Sequence, residues 1–315
     1  MRGQWRQLAT ILEVLRCPRT GQHLLFEQDM LTTPDRRHTY RLSSSGIPLF
    51  GEQFCSTDAA KQQSHYDQLA PTYIANLNYP HTIEYAACLD RALFRLIEGV
   101  SLKLVGEICC GRGLALQLIG DRIGCGIGVD ISQNMLEAGI KDHTAHPNII
   151  FVQGDATALP LSDNVFDAIF ICGGVHHVND RRALFSEVFR VLKPGGHFFF
   201  REPCNDFALW RAIRKLVYRL SPALDHATER PLQFEETVPV LQDVGFGAVI
   251  YDRHGFLGFC LLMNSDVLVF NRAFRFLPGI RTLVKLAAGF DEWFVHLPHM
   301  NRAGLQVVGC STKPS

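Results

Sequence analysis

Three acidic residues recur along the middle of the chain, each at or near the end of a short apolar run. Glu107 precedes Cys109-Cys110-Gly111-Arg112-Gly113, Asp130 closes the run Cys-Gly-Ile-Gly-Val-Asp, and Asp155 follows Gly154. Glycine at 111 and 113 lets backbone approach a ligand closely, although two glycines after a strand also make an ordinary tight turn. A carboxylate at 107 would repel a pyrophosphate and attract an ammonium or a sulfonium. Asp130, about 20 residues further on, stands where an acid can hold ribose hydroxyls. Asp155 can accept a hydrogen bond from an exocyclic amine such as that of adenine. A dinucleotide site needs a third glycine, and that position is Leu116. Taken singly, each acid is equally well explained as a helix cap or a solvated loop residue. Together, at successive strand ends, they favour a cationic adenosine ligand.

A second group follows a later apolar run, in Cys172-Gly173-Gly174-Val175-His176-His177. Histidine titrates near neutrality, so His176 or His177 could take a proton from a nucleophile. The plainer role is a helix cap or a hydrogen bond to backbone. Arg201-Glu202-Pro203 falls at the next strand end, where it faces the same cleft or forms an ion pair.

These residues sit on an alternation of strands and helices. Strands are expected over 103–109, 125–130, 148–153, 166–172 and 197–202, and helices over 114–123, 132–142 and 181–192, the last stopped by Lys193-Pro194-Gly195-Gly196. Such alternation implies crossovers and a parallel sheet covered on both faces. A helical pattern runs from about residue 56 to 100, with Gly99 placed to end it. Further strands are expected over 246–252 and 305–310. The first 55 residues are rich in Pro and Gly between β-like runs at 23–28, 38–42 and 47–50, too little to build a large core alone.

EICCGRG, GVDIS, GDATALPLSDNVFDAIF and RVLKPGG resemble, in order and spacing, the motifs of class I S-adenosylmethionine-dependent methyltransferases of the small-molecule type. The resemblance covers residues 60–205 well and the last strands more loosely. It implies a doubly wound, seven-stranded, mostly parallel Rossmann-like sheet with a small N-terminal β-rich domain and helical lid insertions. It implies S-adenosylmethionine as cofactor and S-adenosylhomocysteine as product. By that resemblance Glu107, Gly111 and Gly113 line the methionine moiety, Asp130 with Ile131 holds the ribose, and Asp155 with Ala156 contacts adenine. Cys172 completes the lining, and Tyr66 and Tyr73 resemble aromatic residues of a helix that closes over the cofactor, or else pack in the core. The family usually has glycine where Cys109 stands, which crowds the methionine end. The domains expected are an accessory element over 1–55 and a methyltransferase domain over 56–315. The latter divides into a cofactor lid (56–100), a core (101–205) and substrate-lid insertions (206–241 and 254–300).

The acceptor is narrowed by what is missing. Lys and Arg total 31 against 31 Asp and Glu, and members that modify base amines carry an Asn/Asp-Pro-Pro-aromatic segment where this chain reads CGGVHH. Nucleic acid is therefore not expected as partner. Both insertions are apolar, which suggests a small hydrophobic acceptor, aromatic, polyketide- or lipid-like. The basic amphipathic helix in 206–223 reads first as a lid, and it also suits peripheral contact with a membrane surface. Residues 8–51 resemble a zinc-ribbon-like domain that accompanies certain methyltransferases. Thr20 stands where its second cysteine would, so no metal is expected. That element would pack on the catalytic domain or join two subunits in a homodimer. Ten cysteines without a Cys-x-x-Cys pair, no apolar stretch near the roughly 18 residues that span a bilayer and a charge-interrupted start suggest a cytoplasmic protein. Two rivals remain: a protein that binds the cofactor without methyl transfer, guiding a cyclisation or serving as a partner, and a nucleotide-dependent oxidoreductase.

Overall fold

The computed structural model describes residues 8–64, 76–220, 230–263 and 269–315. Tyr66 and Tyr73 lie outside the described residues. The centre of the molecule is a seven-stranded sheet. Its strands are β4 (Leu104–Ile108), β5 (Cys125–Asp130), β6 (Ile149–Gln153), β7 (Phe166–Cys172), β8 (Leu192–Pro203), β9 (Ile250–His254) and β10 (Gln306–Thr312), in the order β6-β5-β4-β7-β8-β10-β9. The pairs β4–β5, β5–β6, β4–β7 and β7–β8 are parallel; β10 runs antiparallel between β8 and β9. This is the doubly wound, mostly parallel architecture that the resemblance implied, with the parallel crossovers expected from the strand–helix alternation.

The parallel strands read as unbroken apolar runs because both sheet faces are covered. Ile169, Ile171, Phe198 and Phe200 join one core, while Ala168, Phe170 and Phe199 join the other. On the faces lie α2 (Leu114–Ile119), α3 (Gln133–Asp142), α4 (Arg181–Val191) and α6 (Phe234–Val244). Ser132 and Asp180 cap α3 and α4, their side chains accepting from Met135 N and Ala183 N. Helix α4 ends at Val191 and β8 begins at once, five residues before the expected strand. Lys193 precedes a proline and is turned away from helix, and the register shifts between Phe166 and Ala168 absorb the extra residues. β9 starts four residues later than expected. Gly245 (φ 118) ends α6, and Gly247 N donates to Thr312 O before the ladder proper begins.

The N-terminal sheet, β1 (Leu25–Glu27), β2 (Met30–Thr32) and β3 (Thr39–Arg41), is a small antiparallel meander. Of its strands, β2 gave no apolar signal. Residues 47–50 turn back beside it, where Ser43 N donates to Ile47 O (2.8 Å) and Leu49 N to Arg41 O (2.9 Å), antiparallel to the end of β3. They run along the open edge of the large sheet, where Gln153 N donates to Pro48 O (2.9 Å) and Phe50 N to Gln153 O (3.1 Å). An edge covered in this way is closed to stray strand pairing. Leu15, Cys17, Leu31, Tyr40 and Phe50 share one core with Val129, Val152 and Leu161. The Cys17 thiol lies 3.0 Å from the Tyr40 hydroxyl.

A second helical layer covers the strand ends: α1 (Pro80–Leu96), α5 (Ala208–Leu220), α7 (Leu257–Met263) and α8 (Ile280–Val295). Tyr85, Leu89, Trp210, Phe259 and Val284 form its core. Asp291, fully buried, ties three of these helices together by accepting from Tyr85 Oη (2.5 Å), Phe256 N (2.9 Å), Gly258 N (3.0 Å) and Phe259 N (2.8 Å). Among the described residues, no helix is long and apolar enough to cross a membrane.

Candidate active site

Strand order reverses between β4 and β7, and a crevice at the carboxyl ends of strands flanking such a point is where open α/β sheets bind ligands. A cavity of about 280 Å³ lies there, close to the lower end of small-molecule sites at about 300 Å³. Its wall takes residues from the loops after β4, β5, β6 and β7. Closing it from the other side are Ser56, Asp58, Ala59, Gln62 and Leu77.

The loop after β4 is built on left-handed backbone. Cys109, Gly111 and Gly113 have φ of 53°, 52° and 79°, which glycine adopts freely and cysteine only under strain. The Cys109 side chain is accommodated because residue 174 is glycine: a Cβ there would meet Cys109 Cβ head-on and Ile171 Cγ2 at 2.9 Å. Glu107 is 1% exposed, and its two oxygens accept from Ala115 N (3.0 Å) and Leu116 N (2.9 Å). Burial pushes its carboxyl up to about 7, against those two backbone hydrogen bonds and the Arg201 charge. The N–H groups that would cradle a pyrophosphate at the start of α2 are therefore already filled by a carboxylate. Burial also raises the thiols of Cys109 and Cys172, so both are held neutral.

Asp130 accepts from Gly111 N (2.7 Å) and Ser132 N (2.9 Å), locking the glycine loop to the turn into α3. Asp155 accepts from Ser56 N (2.7 Å), Thr157 N (2.8 Å) and Thr157 Oγ1 (2.7 Å). Burial works to raise its pKa, but these hydrogen bonds outweigh it and hold the carboxylate ionised. An ionised carboxylate has about four acceptor sites, so Asp155 retains capacity for a ligand. Asp58, Glu107, Asp130, Asp155 and Asp180 line the cavity, and the single Lys or Arg among its lining residues, Arg112, is paired with Asp142. The field inside is one-signed and suits a cation.

The structure divides the two histidines. His177 lines the cavity and His176 does not. His176 Nδ1 lies 2.8 Å from Glu202 Oε2, and its ring stands 3.8 Å from that of His177. Glu202 is fully buried and also accepts from Gly174 N (2.7 Å) and Val175 N (2.9 Å), so one carboxylate shapes the whole loop after β7. Arg201 is partly buried and paired with Asp90 of α1, which fastens the upper helical layer to β8. Gly111, Ile131, Ala156 and Cys172 lie along the cavity, whereas Gly113 does not line it and its carbonyl lies 3.0 Å from His143 Nε2. Ser56, Gln62 and Leu77 carried no sequence signal, since an N–H donor and a lid residue have no characteristic residue type.

The family described as "Methyltransferase domain" (Methyltransf_11) matches residues 106–200. Residues 106–200 thus carry a methyltransferase domain. A demethylmenaquinone methyltransferase of Staphylococcus aureus is 41% identical over 93 residues, which are 29% of this chain and 39% of that protein. The match thus spans well under half of that relative's length. The fold of the methyltransferase domain is shared with the cyclase SpnF (TM-score 0.57, 16% identity, 81% of this chain and 96% of that one). It is shared too with an S-adenosylmethionine-dependent methyltransferase of Thermotoga maritima (TM-score 0.54, 20% identity, 80% and 99%).

Proposed function

We propose that this protein transfers the methyl group of S-adenosylmethionine to a small, fairly apolar acceptor and releases S-adenosylhomocysteine. The observation that carries the reading is the acid-lined cavity at the strand ends, with its helix N-terminus sealed by Glu107. S-adenosylmethionine supplies an already activated methyl group, so the chain's task is mainly to align two reactants and exclude water. In this reading Asp130 and Ile131 hold the ribose, Asp155 and Ala156 the adenine edge, and Glu107 with the Gly111 and Gly113 backbone the cationic methionine end. Cys172 lines the wall beside them. His177 takes the acceptor's proton where the nucleophile is a hydroxyl or an ammonium, and His176, held by Glu202, positions it. Residues 1–55 act as an accessory element that completes the edge of the methyltransferase unit over 56–315.

The partial likeness to a demethylmenaquinone methyltransferase makes a demethylated quinol the first acceptor to try. Incubation with methyl-labelled S-adenosylmethionine should move label into the lipid-soluble fraction with matching S-adenosylhomocysteine. Binding of S-adenosylhomocysteine without transfer to any apolar acceptor would favour a second reading. That reading is a cofactor-binding protein that uses the charge without giving up the methyl, and it is supported by Cys109, which narrows the methionine end. Calorimetric titration with NAD should show no binding.

A further inference from the structure

Helix α8 is apolar on two faces. Ile280, Val284, Ala288 and Val295 are buried. Leu283, Leu286, Phe290 and Trp293 recur at intervals of three and four, and they are 53%, 68%, 47% and 59% exposed. At 3.6 residues per turn these four share an arc about 80° wide, centred about 140° from the buried face. A helix at the surface of a globular protein ordinarily gives that side to polar residues. The outer stripe is also anchored. The Phe290 ring touches Trp293 (5.7 Å) and Phe294 (5.8 Å), Phe294 stacks on Phe256 (4.3 Å), and Phe256 meets the buried Trp210 (5.5 Å). Just before α8, Phe270, Phe276 and Leu277 are 56%, 74% and 46% exposed.

Charge decides what covers this surface. The chain as a whole is neutral, yet residues 269–290 carry Arg272, Arg275, Arg281 and Lys285 and no acid, with Lys285 paired to Glu84 of α1 (3.6 Å). The two acids of α8 are engaged elsewhere: Asp291 is buried against α7, and Glu292 is bound to His254 (2.9 Å). Arg275 lies over the rings of Tyr79 (5.1 Å) and Phe276 (4.7 Å), cation and aromatic side by side. A second copy meeting this face through a two-fold axis would set the same cations against one another. A bilayer interface offers both complements at once, apolar chains for Leu286, Phe290 and Trp293 and phosphate for the cations.

We propose that the outer face of α8, with residues 270–277, docks this protein onto a bilayer interface bearing anionic phospholipid. The inference goes beyond the methyl-transfer reading and is measured without it; docking would bring the lid to the phase in which an apolar acceptor dissolves. The test is co-sedimentation of the full chain with phosphatidylglycerol-containing vesicles and with pure phosphatidylcholine vesicles. Partition into the anionic vesicles should be at least tenfold stronger, and it should fall at least tenfold in a Leu286→Asn, Phe290→Ser, Trp293→Ser variant. Arg275→Gln should cost about fivefold. These positions are exposed, so the unfolding midpoint should hold; if the triple variant loses its fold, Trp293→Ser and Arg275→Gln read the same face. Failure of the wild type to pellet, or equal partition of folded variants, overturns the proposal. So does sedimentation equilibrium showing a wild-type dimer that these substitutions dissociate, since the face would then join two copies.

Discussion

Glu107 makes cofactor binding depend on pH in a direction that can be worked out. With its carboxyl raised to about 7 by burial, it is about nine-tenths protonated at pH 6 and about one-tenth at pH 8. A cation seated in the cavity favours the ionised form, so binding should release about 0.9 proton at pH 6 and about 0.1 at pH 8. The affinity for S-adenosylmethionine should accordingly rise about tenfold over that range. Titration calorimetry in two buffers of different ionisation enthalpy measures the released proton directly. The ligand's own amine also titrates, so Glu107→Gln is the control: it should abolish the protein's share and leave the ligand's. The same pKa has a stability consequence. Between about 4.5 and about 7 the folded state binds more protons at this site than the unfolded one, so its contribution to stability falls as pH rises through that window. Equal proton release from wild type and variant, or an affinity that falls toward pH 8 in the wild type alone, would refute the placement of Glu107 beside the cation.

Three further outcomes are expected. Gly174→Ala should destabilise by about 1–3 kcal/mol in urea unfolding, because the added Cβ collides with Ile171 and Cys109; combining it with Cys109→Gly should restore much of the loss. Asp291→Ala should cost about 3–5 kcal/mol by leaving one hydroxyl and three backbone N–H groups unpaired in a dry site, and hydrogen exchange should quicken in α7 before the central sheet. His254, almost fully buried, would lose its proton on burial alone, but Asp252 and Glu292 outweigh this and raise it from 6.5 to about 9. Its stabilisation is therefore complete below about pH 6.5 and lost as pH rises through 9. With both carboxylates partly exposed, the loss between pH 6 and pH 10 should be about 1–2 kcal/mol, and His254→Gln should flatten it.

The parts of the fold that were legible are those where one chain segment determines its own structure. β5 and β7 lie at 125–130 and 166–172 as read, because a strand buried on both faces is a continuous apolar run bounded by polar residues. Helices were expected over 132–142 and 181–192, and α3 and α4 occupy Gln133–Asp142 and Arg181–Val191, because their apolar residues recur at helical spacing. What stayed hidden depends on partners distant in sequence. Residues 47–50 have a strand's composition, but nothing local says that they bridge two sheets, bonding antiparallel to the end of β3 and along the open edge of β6. Glu107 showed itself as an acid before a glycine loop, yet nothing local says that both oxygens are spent on α2. His176 and His177 are adjacent and alike in type, and Glu202, a strand away, separates their roles. The two apolar faces of α8 were equally invisible, since periodicity counts apolar residues without saying which of them find a neighbour.

The proposed function requires that carboxylates along the strand ends hold a sulfonium nucleoside. The most direct measurement is calorimetric titration of the full chain with S-adenosylmethionine, comparing wild type with Asp130→Ala. One equivalent should bind to the wild type, and loss of the ribose-holding carboxylate should weaken it by about 10- to 100-fold. Absence of binding to the wild type, or an unchanged affinity in a folded Asp130→Ala protein, would contradict the account.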